Sequence, residues 1–120
     1  MLRSMRTERT FAGELVQYER PNWDPLIDVV GPHLVRFFMW MSEFEVDGVR
    51  AHAYKHCATR RYLHIGEDGR LFGAVPRFRY EELAREDALA EVFAGWEELQ
   101  PSPDEAARAE LERLRRRASA

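Results

Sequence analysis

Glu43, His52 and His64 are the residues of this chain whose types suit proton transfer or metal ligation. All four histidines, the only lysine and the only cysteine lie between His33 and His64. A carboxylate across a strand pair from one imidazole, with a second imidazole on the next strand, can form a general acid–base pair. With a water, the same three groups can also complete a tetrahedral zinc site. His52 and His56 cannot share an ion, because four residues of strand hold them about 13 Å apart. No zinc-ligand spacing and no glycine-rich phosphate loop accompanies these residues. The expectation is therefore no metal and no cofactor, with Glu43, His52 and His64 as the set to examine for either chemistry. Whether the chain is an enzyme stays open. Cys57 is poorly placed to use His56 as its base, since neighbours on a strand point to opposite faces. Ser42 is expected to point into the core.

A second set of residues can bind rather than react. Arg36, Lys55 and Arg61 are expected at one end of one sheet face, with Arg60 near. Cations within reach of each other repel, so they need carboxylates from Glu81, Glu82 or Asp87, or a small anionic ligand. Residues 33–79 hold eight Arg or Lys against five Asp or Glu, and residues 80–105 hold nine acids against one arginine. A basic sheet and an acidic segment of this kind can neutralise each other within one molecule. Lys55, Arg60, Arg61, Arg77 and Arg79, interleaved with Tyr54, Tyr62, Phe78 and Tyr80, also resemble a surface that stacks single-stranded RNA. The net charge of -3 and the lack of an RNA-binding aromatic motif argue against nucleic acid.

These residues are positioned by a run of two-residue periodicity. Asp47-Gly48 is a two-residue hairpin signal between strands at 37–46 and 49–57. Its register sets Val46 opposite Val49, Glu45 opposite Arg50, Phe44 opposite Ala51 and Glu43 opposite His52. Continued further, it sets Met41 opposite Tyr54, Trp40 opposite Lys55 and Met39 opposite His56. A second hairpin at 62–65 and 70–75 turns through Gly69. One face then holds Phe38, Trp40, Phe44, Ala51, Ala53, Leu63, Ile65 and Leu71 as the main core. The other holds Met39, Met41, Glu43, His52, Tyr54, His56, Tyr62, His64 and Phe72, and needs a cover from the N-terminal segment, the last helix or a second subunit.

Helices flank this sheet. Asp24 to Val30 reads as a short helix, with Asp24 as its N-cap, Pro25 at its first helical position, Gly31 as its left-handed C-terminal cap and Pro32 as its stop. Leu83, Leu89, Val92, Phe93, Trp96 and Leu99 fit one face of a helix over about 80–99. Ser102-Pro103-Asp104-Glu105 is a capping box that starts a helix to about 117. That helix exposes Glu110–Arg113 and Glu112–Arg116 pairs, and its thin stripe of Ala107, Leu111 and Leu114 suits weak packing or a subunit contact. Phe11 to Val16 suits a short strand or arm, and residues 1–10 are expected to be disordered. The fold expectation is α+β: a four-stranded antiparallel meander with one helix before it and two after.

The chain, at 120 residues, is expected to form a single domain spanning 1–120. The lone Cys57 excludes an internal disulfide and points to a reducing, cytoplasmic setting. No apolar run approaches the ~18 residues of a membrane span. The runs His52-Ala53-Tyr54-Lys55-His56 and Thr59-Arg60-Arg61-Tyr62-Leu63-His64, with Phe38-Met39-Trp40-Met41 before them, resemble a segment of small proteins of unknown function from high-GC bacteria. That resemblance covers about half the chain and implies no activity. The residues themselves point first to a non-catalytic ligand- or protein-binding domain, a homodimer with a small-anion site at Arg36, Lys55, Arg60 and Arg61. A metal-assisted or acid–base enzyme and a single-stranded RNA binder are the alternatives.

Overall fold

At the Asp47-Gly48 turn both residues take positive φ, 51° and 76°, the type I′ geometry whose twist matches its flanking strands. In the computed structural model, which describes residues 5–9, 15–19, 21–76, 79–96 and 105–119, this turn joins β3 (Phe38–Val46) to β4 (Val49–His56). β5 (Tyr62–Gly66), β6 (Leu71–Val75) and β7 (Arg79–Leu83) continue an antiparallel meander of five strands in the order β3-β4-β5-β6-β7. Gly69 turns the β5–β6 hairpin at φ 92°. A separate two-stranded sheet pairs β1 (Met5–Arg9) with β2 (Leu15–Glu19). Residues 5–9, expected to be disordered, are thus a paired strand. The expected strand at Phe11–Val16 begins only at Leu15, and Phe11 to Glu14 lie outside the described residues.

The fifth strand corrects the expected helix over 80–99. Arg79 to Leu83 pairs with β6 along five positions, from Val75↔Arg79 to Leu71↔Leu83. Gly73 makes room for this, since a Cβ there would lie 2.9 Å from Leu83 Cδ1. Tertiary pairing overrides the helical propensity of the segment. α2 (Arg85–Val92) starts after Ala84, and Leu89, Val92, Phe93 and Trp96 enter the core as their spacing predicts. Leu99 and the capping residues Ser102, Pro103 and Asp104 lie outside the described residues.

The β3–β4 register holds from Val46↔Val49 through Glu43↔His52 and then shifts between Trp40 and Ser42. Met41 is the extra residue of a β-bulge. Beyond it Trp40 faces Tyr54, Met39 faces Lys55 and Phe38 faces His56, each one residue off the unbroken register. On the other side of β4, His52 pairs with Ile65, Ala53 with His64 and Tyr54 with Leu63. The face assignment changes accordingly. Phe38, Trp40, His52, Tyr54, His56, Leu63, Ile65 and Leu71 share the helix-covered face. Met39, Phe44, Ala51, Ala53, Lys55, Tyr62, His64 and Phe72 share the other, and Ser42 is exposed there rather than buried.

Three helices cover the first face: α1 (Asp24–Val30), α2 and α3 (Glu105–Ser119). Leu26, Val29 and Val30 from α1 meet Leu89 and Val92 from α2 and Ala107, Leu111 and Leu114 from α3 in one core. The thin stripe of α3 is therefore buried inside its own chain, against α1 and α2. Among the described residues no helix is long and apolar enough to cross a membrane.

The helix ends are closed by distant side chains. Arg85 Nη2 donates to the Val29 carbonyl at 2.9 Å, and Thr59 Oγ1 donates to the Val92 carbonyl at 2.8 Å. Both supply partners for last-turn carbonyls that have none within a helix. Asp24, expected as the cap of α1, is instead its first residue after Trp23, and Asn22 Oδ1 accepts from the Asp24 amide at 3.1 Å. Glu110, expected on the exposed side of α3, is only 7% exposed and accepts from the His33 amide at 3.0 Å. The Glu112–Arg116 pair does form, at 3.8 Å.

Glu110 reaches His33 because Gly31 has no side chain. A Cβ on Gly31 would lie 1.3 Å from Glu110 Oε1, and the backbone there, φ 89° and ψ 165°, is a region essentially reserved for glycine. Gly31→Ala is expected to cost about 3 kcal/mol or more, summing backbone strain and displacement of the carboxylate. Glu110→Ala alone is expected to cost about 1–2 kcal/mol for the orphaned amide. In urea unfolding, the double variant should lose less than the two single losses combined, because removing the carboxylate relieves the clash. Strict additivity would show that the clash is not what Gly31 avoids.

Candidate functional site

The alternation of β4 puts His52, Tyr54 and His56 on the helix-covered face, each fully buried or nearly so. Buried imidazoles need partners for both nitrogens, and His52 has them. The Trp40 indole N–H donates to His52 Nδ1 at 3.0 Å, which leaves the proton on Nε2, 2.7 Å from Glu67 Oε2. Asn22 Nδ2 donates to the same carboxylate oxygen at 3.3 Å, and the Tyr54 hydroxyl donates to the Asn22 carbonyl at 2.5 Å. Burial, with the charges of Glu67 and Asp24, pushes the Tyr54 phenol above its ordinary range and keeps it protonated. These bonds tie the start of α1 to the sheet. With both nitrogens committed and 2% exposure, His52 has neither a lone pair nor a mobile proton for a substrate.

The expected triad does not assemble. Glu43 sits opposite His52 as predicted, but its Oε1 accepts from Arg50 Nε at 2.8 Å. His64, paired with Ala53, lies on the other face of the sheet from His52. Among the described residues no three His, Cys, Asp or Glu side chains converge to hold a metal ion. The carboxylate that does meet His52 is Glu67, in the β5–β6 turn. It could have been found only by knowing the β4–β5 register.

His56 is held differently. Its Nδ1 accepts the amides of Ala58 and Thr59 at 3.1 and 3.2 Å, shaping the loop between β4 and β5. Among the described residues its Nε2 has no hydrogen-bond partner, and the ring packs against Phe38, Phe93 and Trp96, whose centroids lie 5.1, 5.6 and 4.7 Å from its own. Burial without a counter-charge pulls its pKa down to about 4.

The cations expected to bind an anion are spread over several elements. Arg36, in a single 3₁₀ turn at Val35–Phe37, lies with Cζ 4.9 Å from the Phe37 ring centroid. Lys55 Nζ lies 5.6 Å from the ring centroid of Tyr62, its cross-strand neighbour. Arg60 takes φ 64° in the β4–β5 loop, and Arg61 follows it at the start of β5. Of the RNA-stacking set, Tyr54 is fully buried, while Arg77 and Phe78 lie outside the described residues.

The face opposite the helices carries an aromatic layer. Phe44 of β3 and Tyr80 of β7 stack with centroids 4.3 Å apart and planes 18° apart. Flat strands would hold these two edges roughly 19 Å apart, so the sheet curls around this face. His64 packs against both rings, at 5.7 and 5.2 Å, and stacks on Tyr62 at 5.7 Å. Ala51 and Ala53 lie buried on the same face and leave room for these rings.

β5 and β6 pair only at His64↔Phe72 and Ile65↔Leu71. Toward Tyr62 and Ala74 the strands separate, and a slot of about 270 Å³ opens between them. Arg61, Tyr62, His64, Leu83, Ala88 and Glu91 are among its lining. Desolvation holds the His64 pKa below its ordinary value, against a hydrogen bond to the Phe72 backbone and the Glu91 charge, so the ring is neutral at pH 7. The slot therefore offers a guanidinium, a carboxylate, a neutral imidazole and ring surfaces. No known protein family, curated protein or solved structure matches this chain.

The depressed pKa of His56 gives a pH dependence. Between pH 6.5 and about 4 the unfolded chain binds a proton at this position that the folded chain does not. Stability from this group is therefore complete above pH 6.5 and falls on acidification to about pH 4, by up to about 3 kcal/mol. Denaturant unfolding from pH 7.5 to 4 should show a smaller loss in His56→Asn than in the parent. An equal loss in both proteins would assign the acid sensitivity elsewhere.

Proposed function

We propose that this protein is a non-catalytic binding domain that takes a small anionic ligand in the slot between β5 and β6. The observation that carries this reading is the early end of the β5–β6 ladder beside Arg61, which leaves a cavity lined by a guanidinium and aromatic rings. Arg61 offers a planar two-pronged donor for a carboxylate or phosphate. Tyr62 and His64 offer stacked ring surfaces at its side. Lys55, lying against Tyr62, adds positive charge at the same edge. Arg36 and Arg60 of the original set do not line the slot, so the proposed site narrows to Arg61 with Lys55.

The commitment of both His52 nitrogens to protein partners supports a binding role over an acid–base one. The exposed thiol of Cys57 suits a reducing compartment. Self-association, expected from the sequence, has Met39 and Met41 of the edge strand as its candidate surface, at 37% and 43% exposure, because α3 uses its stripe internally.

A thermal-shift series with phosphate, benzoate and phenylacetate tests the reading. One of these anions at 100 times its Kd should add about 2.7 kcal/mol, a shift of several degrees. That shift should vanish in Arg61→Ala and persist in Arg36→Ala. Dependence on Arg36 with indifference to Arg61 would move the site out of the slot. No shift with any of the three would overturn the anion reading.

A further inference from the structure

The slot carries charge of both signs. Arg61, just before β5, and Glu91 of α2, one turn after Ala88, both line it. Both are exposed side chains lining a single cavity of about 270 Å³, yet neither is in an ion pair among the described residues. Two opposite charges that line so small a space without pairing with each other can both act on whatever enters between them. The surfaces around them are apolar on the helix-covered side, Leu83 and Ala88, while Tyr62 and neutral His64 border the gap from the opposite face of the sheet.

A plain anion drawn to Arg61 meets repulsion from Glu91, and a plain amine drawn to Glu91 meets repulsion from Arg61. Only an occupant with both charges satisfies both residues. Building on the anion reading above, we infer that the ligand is a small zwitterion with a flat apolar body, of the class of a free aromatic amino acid. Its carboxylate lies on Arg61, its ammonium on Glu91, and its ring against Tyr62 and His64. The volume restricts the occupant to a small molecule, since at about 270 Å³ it falls just below the usual range of ligand pockets. Specificity comes from the pair of charges, because a site built for two opposite charges leaves one of them unmatched with either half-ligand.

Three probes with the same ring separate the possibilities: phenylalanine, phenylacetate and phenethylamine, titrated calorimetrically into the parent, Arg61→Ala and Glu91→Gln. Phenylalanine should bind at least tenfold tighter than either half-ligand, and each substitution should remove most of that advantage. Glu91→Gln should tighten phenylacetate, since the repelling carboxylate is gone. Amide shifts at Tyr62 to His64 in two-dimensional NMR should follow phenylalanine in the parent and not in Arg61→Ala, which locates the binding. Phenylacetate binding as tightly as phenylalanine, unaffected by Glu91→Gln, would overturn the zwitterion and leave the anion reading standing. Phenethylamine binding tightest would overturn both. No heat with any of the three would overturn the zwitterion, and the anion reading would then rest on phosphate and benzoate alone.

Discussion

One extra residue in β3 decides what this protein buries. The hairpin at Asp47-Gly48 fixes the register at one end of the β3–β4 pair, and an unbroken ladder would carry that register to Phe38. Phe38 and Trp40 would then share a face with Ala51 and Ala53, leaving Tyr54 and His56 among methionines. The bulge at Met41 turns β3 over midway. A one-residue slip reverses every side chain beyond it, so Trp40 and Phe38 join the face of β4 that carries His52, Tyr54 and His56. The methionine that makes the slip stays outside, 43% exposed.

That reversal explains how a core tolerates two histidines and a tyrosine. Polar groups taken from water cost a few kcal/mol each unless they are hydrogen-bonded, and each here is answered by a different strategy. His52 is bracketed by the Trp40 indole, which only the bulge brings opposite β4, and by Glu67 from the next hairpin. Tyr54 reaches the backbone before α1. His56 answers two amides of the loop that follows it and leaves its other nitrogen among aromatic rings. Burial of the His56 ring away from any counter-charge appears as the lowered pKa. The polar groups of the core thus act as fasteners: each joins the sheet to an element whose own sequence contains little to hold it there.

The sequence made the local elements legible and the long-range ones only in part. The turn at Asp47-Gly48, the glycine at 69, the short α1 with Pro25 and Gly31, and the buried stripe of Leu89, Val92, Phe93 and Trp96 all follow from residue types within a few positions. The bulge is not legible, because nothing near Met41 marks an insertion; its cause is the better burial of Trp40 and Phe38 on the far side. β7 is not legible either, since Arg79-Tyr80-Glu81-Glu82-Leu83 has the look of a first helical turn and is recruited by the open edge of β6 and the space above Gly73. The Glu43–His52 juxtaposition was legible and is real, yet each residue has a nearer partner. Glu67 and Glu91 escaped notice for one reason: their neighbours are chosen by register and by helix docking, neither of which is written in spacing along the chain.

The slot follows from these constraints rather than from any residue within it. β5 is held to β4 along five pairs, and its leading end is fixed by the loop that His56 shapes and that Thr59 ties to the end of α2. β6 is held to β7 along five pairs in the other direction. Each strand follows the partner with the longer ladder, and the two-pair ladder between them cannot close the gap. The turn between them passes through Gly69 at φ 92° and carries the Asp68–Arg70 pair at 2.8 Å. An opening held from both sides is already ordered before anything enters it. Ordering of the site is one of the costs that binding meets, and a gap set by two longer ladders would lower it for the ligand proposed above.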